Sequence, residues 1–391
     1  MNFGYGCFHT RGRIHCGVGK VSIIGEEISK SNVSKVLLIT EKALLDLGIV
    51  QPVIASLDSH NIEYEIFSEV EADPSAILMD RVGKLAHESG AGAIVGVGGG
   101  SSLDTAKAAA IIAANPGHSV IEYLGDYTGH SRHENPAWKT FAVPTTAGTG
   151  SEASWNISVN DTERKVKSRI QTPFCIPDVS VLDASLMKNL PVKIAASTGI
   201  DAFTHCFEAY VSTKGAWIFS DILAEQGMQL IANNIRPFVA DTSNTEAGQN
   251  MMLAAMIGGM CLSQAPLGIV HQTAKPLGAR FHVPHGLANS LMLPHVMNYT
   301  VFANPKKFAK TAKILGVDTT RMSQIHAAKS AIAAVKELCV DLGLPCRLRE
   351  IDIPEDALEM LANDAMYGKT VFDNPCKGTV KDILSIYKAA Y

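Results

Sequence analysis

The first 185 residues alternate strand-like and helix-like segments, and this alternation constrains the fold more than any other feature of the sequence. Short runs rich in Val, Ile and Leu, each typical of a buried strand, are separated by segments with helical periodicity. Strands are predicted at 36–40, 93–97, 141–143 and 179–182, and helices at 76–89 and 103–114. Strands that alternate with helices predict βαβ units, and therefore an α/β domain with a Rossmann-like parallel sheet. The polar sequence of residues 127–136 predicts an exposed loop.

The second half of the chain has a different pattern, because helical periodicity continues from about residue 185 to the end. Helices are predicted at 193–211, 215–238, 245–263, 287–300, 305–315, 321–342 and 355–367. A chain of 391 residues is too long for one ordinary core. We therefore expect an α/β domain at 1–185 and an all-helical domain at 186–391.

Composition excludes several classes of protein. Apolar residues make up 47% of the chain and charged residues 18%, as in folded proteins rather than disordered ones. A net charge of -4 gives no general attraction to nucleic acid or to anionic membranes. The sequence has no apolar run long enough for a transmembrane helix and no signal-peptide core at its N-terminus. We expect a cytoplasmic protein with reduced cysteines and a small-molecule partner, and neither a nucleic acid nor a membrane partner.

The segment GVGGGSSLDTAK (96–107) follows a predicted strand and opens a predicted helix. Gly98, Gly99 and Gly100 would let the backbone approach a ligand closely, and Ser101 stands near a helix N-terminus that offers N–H groups to an anion. The segment departs from the G-x-G-x-x-G motif, because Ser101 takes the place of the last glycine. The pattern indicates a diphosphate site, although a tight strand-to-helix turn would look the same.

A second loop of small and hydroxyl residues, PTTAGTGSEAS (144–154), follows another predicted strand. Thr145, Thr146 and Thr149 can each donate and accept hydrogen bonds. Alone, such a loop is equally consistent with helix capping. Two such loops at the carboxyl ends of parallel strands favour a ligand site at that edge of the sheet.

A carboxylate and several imidazoles recur in the second half. Asp201 and His205 are four residues apart in STGIDAFTHCFEAY (197–210), so a helix would place both on one face. His271 lies on another predicted helix, and His285 on the loop after it, in GIVHQTAKPLGARFHVPHGL (268–287). One carboxylate and three imidazoles suit Fe²⁺ or Zn²⁺ with a position left for substrate or water. Histidines that only pack and hydrogen-bond are the alternative, and His282 is assigned to that group.

These four motifs resemble those of the iron-containing, or group III, alcohol dehydrogenases, in the order and spacing of that family. The resemblance covers essentially the whole chain. It implies a dinucleotide-binding α/β domain followed by a helical domain, with metal and nicotinamide meeting in the cleft between them. It also implies NAD as the cofactor and one divalent metal, Fe²⁺ or Zn²⁺. The implied metal ligands are Asp201, His205, His271 and His285.

The resemblance assigns further residues to the cofactor and the substrate. The diphosphate would be held by Gly98, Gly99, Gly100 and Ser101. Residues along the cofactor or near it would be Thr145, Thr146, Thr149, Asp104 and Lys167. Residues beside the substrate pocket would be Trp155 and Asn156.

Glu41 follows the first predicted strand, where the family often carries an acidic residue near the adenosine ribose. A carboxylate accepts hydrogen bonds from ribose hydroxyls and repels a 2′-phosphate. Glu41 therefore favours NAD over NADP, whereas the neighbouring Lys42 leaves NADP open.

The sequence departs from the family at Lys275, where many members carry a histidine four residues after the third ligand. That histidine is thought to help relay the proton. Lys275 has three possible roles: a proton donor with a lowered pKa, an anchor for an anionic substrate group helped by Arg280, or a partner of a nearby carboxylate. The second role predicts an aldehyde that carries a carboxylate, sulfonate or phosphonate, as sulfoacetaldehyde does.

The predicted activity is reversible hydride transfer between NAD(H) and a short alcohol or aldehyde, in a homodimer or larger homo-oligomer. One alternative is a lyase on the same fold, as in the related dehydroquinate synthases. The other is a catalytically inactive nucleotide-binding relative. Neither the exact substrate nor the physiological direction follows from the sequence.

Overall fold

The computed structural model describes residues 8, 10–125, 135–164, 166–367 and 369–391. Most of the loop predicted at 127–136 lies outside these ranges. The chain forms two compact units, one of His9–Asn189 and the other of Leu190–Tyr391 together with Phe8. We call them the N-terminal unit and the C-terminal unit.

The N-terminal unit contains eight strands and five helices among its described residues. The strands are β1 (Arg13–Cys16), β2 (Lys35–Ile39), β3 (Glu63–Phe67), β4 (Ala93–Gly98), β5 (Lys139–Pro144), β6 (Asn156–Asp161), β7 (Val166–Gln171) and β8 (Val179–Leu182). The helices are α1 (Ile24–Ser29), α2 (Lys42–Asp46), α3 (Gln51–Ser59), α4 (Ala76–Glu88) and α5 (Gly100–Ala114). The α/β architecture predicted for this half is confirmed.

Six of the strands form a parallel sheet in the order β1-β8-β5-β4-β2-β3, and β6 and β7 form a separate antiparallel hairpin. Alternate residues of the central strands enter different hydrophobic cores. Leu37 and Ile94 pack with residues of α4 and α5, whereas Leu38 and Val95 pack with residues of α1 and α3. Helices therefore cover both faces of the sheet, which explains why its strands are almost continuously apolar.

The order of the strands changes direction between β2 and β4. The chain passes from β2 to its neighbour β3 on one side, and then returns to form β4 on the other side of β2. Such a reversal opens a crevice at the carboxyl ends of the two strands, where α/β proteins bind ligands. Glu41 follows β2 and Gly99 follows β4, so both lie at this edge.

The C-terminal unit is helical, and every strand in the described residues belongs to the other unit. Its helices are α6 (Val192–Val211), α7 (Ile218–Ala240), α8 (Thr245–Gln264), α9 (Ile269–Phe281), α10 (His285–Thr300), α11 (Pro305–Ile314), α12 (Gln324–Asp341), α13 (Leu358–Ala365) and α14 (Val380–Ala390). Over the described residues, no single helix has both the length and the apolar character to cross a membrane. The bent pair α8 and α9, at 105°, passes that test by length and composition.

Helix α6 is buried on all sides from Gly199 to Val211. A helix without an exposed face needs apolar residues around its whole circumference, and most residues of α6 are apolar or small. Asp201, His205 and Glu208 are the exceptions, since each carries a titratable group and is no more than 5% exposed. Buried groups of this kind need partners, and those partners lie on α9 and α10.

Candidate active site

The carboxylate and the imidazoles singled out in the sequence converge in the C-terminal unit. The Oδ1 atom of Asp201 lies 3.6 Å from Nε2 of His271 and 3.9 Å from Nε2 of both His205 and His285. Ligand atoms of Asp201, His271 and His285 all lie within 4.8 Å of one another. His205 stacks on His271 with ring centroids 4.8 Å apart. Donors that share one tetrahedral cation lie about 3.4 Å apart, so this set fits a divalent metal after small adjustments.

Three helices supply the four side chains. Asp201 and His205 lie one turn apart on α6, and His271 lies in the first turn of α9. His285 is the first residue of α10 rather than part of a loop, so its expected placement was wrong. Gly286 follows it because a Cβ there would lie 2.5 Å from the Ser197 carbonyl oxygen. The missing side chain lets the start of α10 approach α6.

His282 does not belong to this cluster. It ends α9 in the left-handed conformation, with a φ of 56°, and its side chain is exposed. Its exposure contradicts a packing role, while the hydrogen-bonding role expected for His282 stays a prediction; its left-handed backbone ends α9.

Glu208 positions His271, and sequence reasoning missed this residue. Its carboxylate accepts hydrogen bonds from the Val270 backbone N–H at 2.7 Å and from His271 Nδ1 at 2.6 Å. A Cβ at Gly268 would lie 2.9 Å from Glu208 Oε1, so a glycine is needed beside the carboxylate. Because Nδ1 donates to Glu208, the lone pair of Nε2 points to the cluster. The spacing i, i+4, i+7 from Asp201 would have placed Glu208 on the same face of α6.

The ionisation of Asp201 favours metal binding, whereas that of His271 opposes it. Burial raises the pKa of Asp201, but the neighbouring charges of His205 and His285 and the hydrogen bond to His271 hold that pKa well below its usual range. Burial lowers the pKa of His271, whereas hydrogen bonds to Asp201 and Glu208 outweigh burial and raise it, so a proton competes with a metal for this imidazole. An ionised carboxylate surrounded by imidazole nitrogens is the donor set that Fe²⁺ and Zn²⁺ accept.

Asn289 is a second residue that sequence reasoning missed. It lies one turn after His285 on α10 and is fully buried. Its Nδ2 atom is 2.6 Å from Asp201 Oδ1 and 3.2 Å from Nε2 of both His271 and His285. The i, i+4 relation to His285 was the available signal.

Lys275 and Arg280 both lie on α9, but they do not share a face. Lys275 is half-buried and lies one turn after His271, on the same face of the helix. Arg280 is five positions after Lys275, which is a net rotation of about 140° on an α-helix. The Arg280 guanidinium is 2.8 Å from the Asp364 carboxylate. These positions do not favour joint binding of one anion by Lys275 and Arg280.

The three glycines at the end of β4 have different neighbours. A Cβ on Gly98 would lie 2.5 Å from Ser102 Oγ, and one on Gly100 would lie 2.7 Å from Thr149 Cγ2. Gly99 has extended backbone, and a Cβ there would come no closer than 3.7 Å to Thr146. The space beside the Gly99 Cα is therefore open, and a side chain at this position would fill it. Helix α5 begins at Gly100, and its first N–H groups face this space, which fits a diphosphate.

Hydrogen bonds link this loop to its neighbours at the edge of the sheet. The Thr145 backbone N–H donates to the Gly98 carbonyl at 3.0 Å, and so joins the two predicted loops. The Ser102 hydroxyl donates to Glu41 Oε1 at 3.1 Å. Glu41 also forms a backbone bridge with Glu69. The acidic residue predicted for the ribose thus lies beside the loop predicted for the diphosphate. Ser101 lies in the first turn of α5.

Asp104 takes part in a buried network inside the N-terminal unit. Its carboxylate accepts hydrogen bonds from the Ser151 hydroxyl and, at 2.8 Å, from the Ser158 backbone N–H. Fully buried Lys107 lies 3.5 Å from this carboxylate and donates to the Ser151 carbonyl at 3.1 Å. Lys107, which sequence reasoning missed, therefore ties α5 to the loop at 144–154. The cofactor role of Asp104 stays a prediction.

The remaining predicted residues lie on or near the β6–β7 hairpin. Lys167 forms an ion pair with Asp73. Asn156 Oδ1 accepts a hydrogen bond from Gln171 at 2.9 Å, and its Nδ2 is buried without a partner in the part of the chain that the structure describes. Trp155 packs against the core beneath the hairpin. Asn156 therefore has a hydrogen-bond donor that no described residue accepts.

Known proteins share both the sequence and the fold. The chain is 34% identical over 375 residues to lactaldehyde reductase of Escherichia coli (strain K12), which covers 96% of this chain and 97% of that protein. It is 38% identical over 378 residues to 1,3-propanediol dehydrogenase of Klebsiella pneumoniae, with 96% of each chain covered. A crystal structure of 1,3-propanediol oxidoreductase matches with a TM-score of 0.95 at 36% identity, covering 99% of this chain and all of the other. The fold is therefore that of an alcohol-oxidising oxidoreductase.

Matches to protein-family models give a more specific assignment of the chain. Residues 11–184 match the model described as iron-containing alcohol dehydrogenase, and residues 195–391 match the C-terminal model of the Fe-containing alcohol dehydrogenase family. The chain belongs to the iron-containing alcohol dehydrogenase family. The resemblance of its four motifs is thereby confirmed, and the protein is an oxidoreductase.

Proposed function

We propose that this protein interconverts short aldehydes and alcohols with NAD(H) and one divalent metal. The observation that carries the proposal is the convergence of Asp201, His205, His271 and His285 in a buried cluster. Glu208 supports it, because that carboxylate turns one imidazole toward the cluster. The names of the relatives support the same class of substrate, since both act on short oxygenated chains.

The cluster would hold the metal, and the glycine loop would hold the cofactor. When bound, the metal would act as a Lewis acid on the substrate oxygen, and NAD(H) would carry the hydride. We propose Fe²⁺, while Zn²⁺ accepts the same four ligands. The open space at Gly99 would receive the diphosphate. Glu41 would bind the ribose hydroxyls and repel a 2′-phosphate, which supports NAD.

Lys275 favours a second candidate substrate, an aldehyde that carries an anionic group. The residue is half-buried and lies one turn after His271 on α9. A partly desolvated cation can anchor a carboxylate or sulfonate through charge-assisted hydrogen bonds. The other role, in which Lys275 transfers the proton, requires no charge on the substrate.

The test is NADH oxidation by the Fe²⁺-loaded enzyme with a neutral short aldehyde and with its sulfonated and carboxylated analogues. If Lys275 is an anchor, the anionic aldehydes have the lower KM, and Lys275→Ala raises that KM by about 10- to 100-fold. Turnover of the neutral aldehyde then stays unchanged. Arg280→Ala is the matched control, because its guanidinium is held by Asp364.

Other outcomes would reject parts of this proposal. Loss of turnover on every aldehyde in Lys275→Ala, with recovery in Lys275→His, would assign the proton transfer to Lys275 and leave neutral aldehydes as substrates. An enzyme that binds metal and NADH but oxidises no NADH with any of these aldehydes would reject short aldehydes as its substrates and favour the lyase alternative. A purified protein without stoichiometric metal would be an inactive relative.

A further inference from the structure

Glu41 is the residue proposed to bind the adenosine ribose, and a hydrogen bond fixes the direction of its carboxylate. Glu41 precedes helix α2, but its side chain makes no capping hydrogen bond to that helix. Its Oε1 atom instead accepts the hydroxyl of fully buried Ser102, in the first turn of α5. The carboxylate therefore faces the glycine loop rather than its own helix.

A second carboxylate lies beside Glu41 at this edge of the sheet. Glu69 follows β3 and forms an antiparallel backbone bridge with Glu41. Residues directly opposite each other in such a bridge carry their side chains on the same face, with Cβ atoms about 5 Å apart. Like charges at that spacing repel each other, so a cation beside one of them lowers the cost.

Arg81, on helix α4, supplies that cation. Its Nη2 atom lies 2.8 Å from Glu69 Oε2, and its guanidinium lies over the Phe67 ring, 5.1 Å from the ring centroid. The Arg81 side chain is 55% exposed, so a solute can reach it. A planar guanidinium pairs well with a phosphate, because it can donate two parallel hydrogen bonds. Glu69 occupies this group at the position where Glu41 is proposed to bind the ribose.

We propose that Glu69 is a second determinant of cofactor choice, because it holds the Arg81 guanidinium that would otherwise pair with the 2′-phosphate of NADP(H). This inference rests on the proposed use of NAD(H). Glu41 repels a 2′-phosphate by its own charge, and Glu69 occupies the cation that would compensate for this repulsion. The two carboxylates therefore exclude NADP(H) by different means.

Lys42 is another cation beside Glu41 that would be available to a 2′-phosphate. Its ammonium lies 3.5 Å from Asp46 Oδ2, and its side chain is 78% exposed. A lysine on its flexible stem binds phosphate as a single point charge, whereas an arginine presents a rigid fork of donors. We therefore assign the phosphate partner to Arg81 rather than to Lys42.

Direct binding of NADH and NADPH tests the inference without turnover, since the fluorescence of the reduced nicotinamide reports both dissociation constants. The wild-type protein is expected to bind NADH more tightly than NADPH. Glu69→Gln keeps the shape and removes the charge, so it should tighten NADPH binding by about 5- to 20-fold and change NADH binding much less. Adding Arg81→Met should abolish most of that gain, because the guanidinium is then absent.

Two controls separate this effect from a general change of charge. Glu88→Gln removes an exposed carboxylate of α4 that lies 3.8 Å from Lys84, and it should change neither affinity. Asp46→Asn frees Lys42 from its ion pair and should give no comparable gain for NADPH. Added salt should shrink the gain in the first variant, since exposed charges are screened.

Several results would overturn the inference. One is equal affinity of the wild-type protein for both cofactors, or an NADPH affinity that Glu69→Gln changes no more than Glu88→Gln does. Another is a gain that survives in the double variant, because Arg81 would then not be the phosphate partner. A gain in Asp46→Asn alone would assign that role to Lys42. A wild-type protein that binds neither NADH nor NADPH would reject the proposed function itself, and the inference with it.

Discussion

His271 has two ring nitrogens, and the fold gives each a separate partner. Nδ1 donates to Glu208, while Nε2 lies 3.6 Å from Asp201 Oδ1. The same Glu208 carboxylate accepts the Val270 backbone N–H at the start of α9. One buried group therefore fixes both the tautomer of His271 and the position of the helix that carries it.

Glu208→Gln should weaken metal binding by about 10- to 100-fold. The Val270 N–H and His271 Nδ1 contact different oxygens of Glu208, and in a glutamine one of these two oxygens is replaced by an NH₂ group, which would face a donor. Fe²⁺ affinity, measured by chelator competition, checks the expectation. Glu225→Gln is the control, since that carboxylate accepts the Tyr210 hydroxyl at 2.6 Å in the same unit. A lower melting temperature with unchanged Fe²⁺ affinity would mean that Glu208 is only structural.

At the scale of elements, the loop between β5 and β6 contains a carboxyl group that has no role in the proposed chemistry. Glu152 is 3% exposed, and burial raises its pKa to about 7, although the charge of Lys107 opposes the shift. The unfolded chain releases this proton near the usual 4.5. The folded protein therefore holds one more proton between these values, and its stability falls as pH rises from about 4.5 to 7.

Glu152→Gln should remove this dependence, because an amide has the same shape and no charge to bury. The unfolding free energy at pH 8 is expected to rise by up to about 3 kcal/mol, with little change at pH 4.5. Urea titrations at the two pH values measure it. Glu163→Gln, an exposed carboxylate of the same unit, provides the baseline. An equal effect at both pH values would show that the proton on Glu152 is not involved.

The sequence predicted some elements better than others, for physical reasons. Helices α6 and α8 lie within a residue of their predicted bounds, because their periodicity is long and uninterrupted. Strand β3 was missed because EYEIF is an edge strand, bonded only to β2, and carries two glutamates. The β6–β7 hairpin was missed because polar and apolar residues alternate along it.

The candidate site also contains residues that the sequence predicted and residues that it did not. Asp201, His205, His271 and His285 stand in recognisable motifs, so the sequence could nominate them. Glu208 and Asn289 act through hydrogen bonds to helices that are 62 and 88 residues away in sequence. No local pattern predicts such pairings, because they depend on how α6, α9 and α10 pack.

At the scale of the whole molecule, the two sets of candidate binding residues belong to different units. The imidazole and carboxylate cluster lies wholly in the C-terminal unit, and the glycine loop with Glu41 lies wholly in the N-terminal unit. A ligand stabilises the structure that binds it and leaves the unfolded chain unaffected. Metal and cofactor should therefore protect different parts of the chain.

Removal of the metal with a chelator should speed amide hydrogen exchange in α6, α9 and α10, because these helices converge on the cluster and lose the cation that links them. Exchange in β2, β4 and the start of α5 should not change. NAD added to the metal-free protein should slow exchange in these N-terminal elements and leave α6 unaffected. Mass spectrometry of peptide fragments measures both, and re-added Fe²⁺ should restore protection in the three helices. If the chelator speeds exchange equally in β4 and α9, the metal is not confined to the cluster, and the ligand assignment is wrong.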